Sequence, residues 1–181
     1  NGTSGWDRIS GYDWRDTTIA GFSHTHLSGI GAGDLYDISF MPAVPPFRVG
    51  AGELGVYSAF RHEDEEARAG YYSVLLRDYD TRVELAATER CGMQRYTFPA
   101  GETQATVFVN LSKAMNWDYT LGSELRVVDD RTIEGWRAST GWAPNQRVYF
   151  RSEFSQPFTS WRVDTVVSTH SDSAYNGIRS H

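Results

Sequence analysis

Cysteine is nearly absent. Cys91 stands alone in 181 residues, which excludes a disulfide framework and any Cys-x-x-Cys metal pair. Basic residues are in the minority: Lys and Arg total 17 against 23 Asp and Glu, a formal charge of -6. A net-acidic chain is a poor match for phosphate backbones, which are held by basic patches that displace counterions. Nucleic acid is therefore excluded as a partner. No apolar run approaches the roughly 20 residues of a bilayer-spanning helix. A Lys-Ser or Lys-Thr phosphate loop and a Gly-x-Ser-x-Gly elbow are missing, and no spacing picks out one pair of carboxylates. Helical patterning is scarce as well. The stretch His62 to Arg68 holds the consecutive acids Glu63 to Glu66 and no apolar stripe, so it reads as a solvated loop or a single helical turn.

Aromatic residues are abundant, at 14% with six Trp and ten Tyr. Flat rings favour the pleated surface of strands, and amphipathic rings also lie against the apolar faces of sugars. Short alternating runs separated by turn residues begin at Tyr71. They include Tyr71 to Arg77, Val83-Leu85-Ala87, Arg95 to Phe98 before Pro99-Ala100-Gly101, and Val107-Val109-Leu111. Leu125 to Val128 and Thr132 to Arg137 flank Asp129-Asp130 as a hairpin. Val148 and Phe150 share one face, and Trp161, Val163, Thr165 and Val167 form the last alternation before a polar tail, Ser168 to His181. Strands at spacings of about ten residues with polar turns predict an all-β chain, an antiparallel β-sandwich or a barrel. We take residues 1–181 as a single domain. Residues 1–50 form a Gly-rich and aromatic front segment, and residues 51–181 carry the strands. Ala43-Val44-Pro45-Pro46-Phe47 reads as a stiff connector.

Two clusters could carry chemistry. The first, Gly21 to Asp34, holds His24 and His26 two apart, on one face of a strand if the segment is extended. That is also a spacing for two metal ligands, although no Glu follows and Asp34 lies beyond Gly29, Gly31 and Gly33. Buried hydrogen-bonded imidazoles and imidazoles that bind a polar ligand are the other readings. The glycines permit close backbone approach to a ligand or another domain. The second cluster, Gly5 to Trp14, places Trp6 and Trp14 beside Asp and Arg, either as core residues or as a sugar-stacking platform. The opening Asn1-Gly2-Thr3-Ser4-Gly5 has no Met, basic leader or apolar signal segment, so the chain reads as a fragment or a processed product.

Several blocks in order carry a family resemblance. Gly5-Trp6-Asp7-Arg8-Ile9-Ser10-Gly11-Tyr12, Gly21-Phe22-Ser23-His24-Thr25-His26-Leu27-Ser28-Gly29 and Gly33-Asp34-Leu35-Tyr36-Asp37-Ile38 resemble the amino-terminal domain of family 92 of the glycoside hydrolases. Gly70-Tyr71-Tyr72, Glu84 to Arg90, Arg95 to Pro99 and Gly141-Trp142-Ala143 extend the match over nearly the whole chain. The resemblance implies a supersandwich of the galactose-mutarotase-like type, packed in the whole protein on an (α/α)6 barrel that this chain does not include. It implies an exo-acting, inverting α-mannosidase that uses calcium, exported to the periplasm or cell surface and taking terminal α-mannosides of glycans, as in N-glycan degradation. The acid, the base and the calcium ligands would belong to the barrel, so the chain alone would be inactive and would hold no metal. Trp6, His24, His26 and Asp34 would contact substrate or line the interface, with Trp6 as an aromatic wall near the leaving-group sugar. Ala32 stands where some members carry Cys. A stand-alone carbohydrate-binding sandwich without catalysis, and a jelly-roll metalloenzyme built on His24 and His26, are the competing readings.

Overall fold

A computed structural model describes residues 11–26, 35–50, 55–113, 118–141, 143–167 and 176–179. The described residues form an antiparallel β-sandwich. Its strands are β1 (Thr18–Ile19), β2 (Thr25–His26), β3 (Leu35–Asp37), β4 (Ser39–Ala43), β5 (Val49–Gly50), β6 (Gly55–Val56), β7 (Ser58–Ala59), β8 (Glu66–Arg68) and β9 (Tyr71–Leu76). They continue with β10 (Thr81–Ala87), β11 (Gly92–Thr97), β12 (Thr106–Asn110), β13 (Tyr119–Val127), β14 (Thr132–Thr140), β15 (Gln146–Glu153), β16 (Asp164–Val167) and β17 (Asn176–Arg179). The acidic stretch before β8 contributes one 3-10 turn, His62–Asp64.

Two sheets carry most of the pairing, in the orders β11-β10-β9-β8 and β13-β14-β15. Between them lies the ladder of β4 with β12, in which Phe108 pairs with Met41 and Val109 with Phe40. Successive residues of a strand point to opposite faces, and here both faces are covered. Met41, Ala43 and Phe108 pack with Val74, Leu76 and Val83 of β9 and β10. Phe40 and Val109 pack with Ile133 of β14, and Val148 and Phe150 of β15 close that cluster. This explains why β4 is buried at every position and why its sequence, Ser39-Phe40-Met41-Pro42-Ala43, shows no alternation. Burying each large apolar side chain of the ladder stabilises the fold by about 1.5–3 kcal/mol.

Strand β15 behaves as its sequence predicts, with the more buried and exposed positions alternating along its whole length. The hairpin read across Asp129-Asp130 is present and longer than its apolar core, pairing Tyr119 with Thr140 at its far end. The last run differs. Trp161 and Val163 are exposed and lie ahead of β16, and residues within the polar tail return as β17 to pair with β16. Thr165 and Val167 do fall in β16. No helix among the described residues is long and apolar enough to cross a membrane.

Candidate functional site

The described parts of two of the family blocks, residues 21–26 and 35–38, are brought side by side by strands β2 and β3, with Thr25 opposite Asp37 and His26 opposite Leu35. The junction is tied down by side chains. Ser23 Oγ and Thr25 Oγ1 both donate to the Asp37 carbonyl, at 2.7 and 3.1 Å. Tyr36 donates its hydroxyl to the Gly21 carbonyl at 3.1 Å, and burial pushes the Tyr36 phenol up to about 12. Lys113 is buried, donates to the Ala20 carbonyl at 2.8 Å and lies 5.1 Å from the Tyr36 ring centroid. Gly21 has a φ of 137°, and a Cβ there would run into Ser39 Oγ, so only glycine permits the Phe22–Phe40 bridge that follows.

Strain marks the same place. Tyr36 and Ile38 hold φ values of 60° and 57°, a left-handed region that bulky and β-branched residues rarely occupy. Between them Asp37 reaches a fully buried Arg137 from β14. The guanidinium also meets Asp118 at 3.4 Å and donates through Nε to Thr120 Oγ1 at 3.0 Å. Each member of this charged cluster lies in the interior. Such a cluster gives one geometry to the β2–β3 junction, because any displacement would leave a charge in low dielectric without its partner.

His24 lies on the surface of this region, against the edge strand β11. Its ring covers Gly92, where a Cβ would fall within the imidazole, and Gln94 Nε2 is 3.0 Å from His24 Nε2. Tyr96 donates its hydroxyl to Gln94 Oε1 at 2.5 Å. That bond orients the amide, so Gln94 donates to His24 Nε2 and leaves the ring proton on Nδ1. The face over Gly92 is shielded from water, and this burial pulls the His24 pKa below its ordinary value. His24 is thus a neutral imidazole with a defined tautomer, presenting an N–H donor.

Ahead of it, the 12–16 stretch is clasped by a group that the sequence pattern did not disclose. His62 stacks on Trp14 with ring centroids 3.9 Å apart and planes inclined by 15°. His62 Nε2 is 2.6 Å from the Trp14 carbonyl, and Nδ1 meets Glu65. Glu65 also accepts from the Tyr72 hydroxyl at 2.6 Å. Both ring nitrogens therefore face acceptors, which suits the imidazolium, and the Glu65 bond is the main cause of a raised His62 pKa. Trp14 itself is 71% exposed, so of its two readings the core one is overturned: its inner face is spent on His62 and its outer face is open.

Of the four residues singled out from sequence, Trp6 and Asp34 lie outside the described residues. His26 falls in β2 and pairs through its backbone, while its side chain lies outside what is described. The glycines 29, 31 and 33 are outside as well. Among the described residues no three His, Cys, Asp or Glu side chains come together as a metal site, and the buried carboxylates of Asp37 and Asp118 are turned to a guanidinium whose charge repels a cation. What sequence reasoning missed was His62, Glu65 and Tyr72. The acidic run hid His62 and Glu65, and Tyr72 stood out only as part of the block Gly70-Tyr71-Tyr72.

The described strands form an antiparallel all-β sandwich, and comparison with known proteins names the family. A profile for the glycosyl hydrolase family 92 N-terminal domain matches residues 1–179. The chain belongs to glycosyl hydrolase family 92 and carries its N-terminal domain. It is similar to the solved structure of the family's alpha-mannosidase BT3965 from Bacteroides thetaiotaomicron, with 32% identity and a TM-score of 0.82 over 97% of this chain. The same enzyme in complex with mannoimidazole matches equally. The family member ccman5 matches with 26% identity and a TM-score of 0.67 over 95% of this chain. This chain covers 26% of the first of these structures, 25% of the second and 24% of the third, so it spans about a quarter of their length. No curated protein matches.

Proposed function

We propose that this chain is the sandwich half of an exo-acting α-mannosidase, and that it supplies part of the wall around a sugar bound between it and a second, catalytic domain. The observation that carries the reading is the meeting of two family blocks at the β2–β3 junction, above a fully buried charged cluster. A surface built only for solvent has no need of strained φ values and an interior ion pair to hold it in one pose. The family's solved members include an alpha-mannosidase studied with mannoimidazole, which supports terminal α-mannosides as substrate.

In this reading the chain positions and shields rather than reacts. His24, neutral and tautomer-fixed, donates Nδ1–H to a hydroxyl or to the partner domain. Trp6 stands as the aromatic wall for the leaving-group sugar, with His26 and Asp34 close by. Inversion demands two carboxyl groups roughly 6.5–9.5 Å apart with a water between them, and these belong to the other domain. Calcium would be held there too and, when bound, would help to hold and distort the sugar. The polypeptide would act on exported glycans, in the periplasm or at the cell surface. The test is mannose release from an α-mannobiose by the intact polypeptide, with calcium and with EDTA. Release that needs calcium upholds the reading, and no release under either condition sinks it in favour of a carbohydrate-binding sandwich without catalysis.

A further inference from the structure

The tip of the β13–β14 hairpin and the segment after β15 enclose an open depression of about 450 Å³, inside the roughly 300–1,000 Å³ of small-ligand sites. Its frame is built. The Asp130 carbonyl accepts from Phe158 N–H and the Arg131 carbonyl from Phe154 N–H, both at 2.8 Å. The Arg131 guanidinium donates to the Ser155 carbonyl, and Phe154 and Phe158 meet edge to face at 5.9 Å. The hairpin tip and the following segment are therefore one rigid unit rather than two loops.

The chemistry of the lining is specific. Trp161 forms one wall and is 53% exposed. Asp129, Asp130 and the hydroxyl residues Thr159 and Ser160 line the depression as well. Asp129 Oδ1 accepts from Arg131 N–H at 2.8 Å, which holds that carboxyl below the usual carboxylate range. The side chains of Asp130, Thr159 and Ser160 make no hydrogen bond to other described residues. Among the described residues no Lys, Arg or His lines the depression, a lining that does not favour an anion. Two carboxylates with no third ligand fall short of a metal site. An aromatic face, anionic acceptors and hydroxyls that both donate and accept are the complement of an uncharged polyhydroxylated ring, with its apolar C–H face on the indole and its hydroxyls on the carboxylates.

We propose that Trp161, Asp129, Asp130, Thr159 and Ser160 form a glycan-binding site that takes one neutral hexose unit without cleaving it. The proposal does not depend on the hydrolytic reading. Mannose release by the intact polypeptide tests that reading; the experiment below tests this one.

The probe is D-mannose, titrated into the isotope-labelled intact polypeptide while the amide resonances of Asp130 and Ser160 and the indole N–H of Trp161 are followed. The three resonances should move together and saturate. In W161A the two amides should stay still, and D130N should weaken binding about tenfold, the loss of one charged hydrogen bond. Trp161 is exposed, so both variants should melt as the parent does. Resonances that ignore mannose in the folded parent overturn the proposal. So does a response to choline but not to mannose, which would make the indole and carboxylates a site for an organic cation.

Discussion

Arg137 on β14 and Asp37 at the end of β3 stand 100 residues apart in sequence and meet as an ion pair with both side chains at 0% exposure. The pair joins the sheet of β13–β15 to the strained turn that carries the family's front blocks. Removing one partner of such a pair leaves a charge buried and costs more than the pair itself contributes. Arg137→Met should therefore destabilise the fold by about 3–5 kcal/mol, read from the midpoint of urea unfolding. The β2–β3 junction should loosen with it, seen as faster amide exchange at Thr25. A midpoint within error of the parent would mean that the cluster does not support the junction.

His62 makes the clasp on the front segment depend on pH, and the sign follows from its raised pKa. The folded state binds the proton more tightly than the unfolded state, so the clasp's stabilisation is complete below the ordinary His range, about 6.5. It is lost as pH rises through the higher folded value. The groups that face the ring are Glu65, the Trp14 carbonyl and Asp16, with the Tyr12 hydroxyl 3.4 Å from Nδ1. The melting temperature of the parent should exceed that of His62→Gln in mildly acid solution, and the gap should close towards alkaline pH. A gap independent of pH would assign His62 to packing alone.

Gly92 should resist even a methyl group. Alanine usually strengthens a strand relative to glycine by limiting the unfolded chain, but here a Cβ would collide with the His24 ring. Gly92→Ala should expel the imidazole, break its contact with Gln94 and return its titration upward to the ordinary range, as followed by the ring resonances. An unchanged His24 titration would mean that contact with Gly92 is not what depresses it.

On the role proposed for Trp6 as an aromatic wall, Trp6→Ala in the intact polypeptide should lower turnover on an α-mannobiose while the melting temperature holds. His24→Ala should lower turnover likewise. For either residue, unchanged turnover with a lowered melting temperature would assign it a structural role only.

The hairpin across Asp129-Asp130 and strand β15 were legible in the sequence because alternation is a local code: one face meets the core and the other meets water within the same eight residues of Gln146–Glu153. Strand β4 was not legible as a core strand. Both of its faces are covered, so it shows no alternation, and only its last residue, Ala43, fell in the stretch read as a connector. The His62–Glu65–Tyr72 clasp was hidden because a histidine at the head of an acidic run looks solvated until Trp14, 48 residues earlier, is laid on its ring.

From composition and pattern alone came the all-β class and the blocks that mark the family; these rest on residue chemistry and on spacings of a few positions. Tertiary structure alone decided that two blocks become neighbours through β2 and β3, that Trp14 is exposed, and that Arg137 is buried between Asp37 and Asp118. Each of these depends on contacts between segments distant in the chain. A charge looks alike in sequence whether it faces water or a partner in the interior, and only the fold sets the dielectric around it.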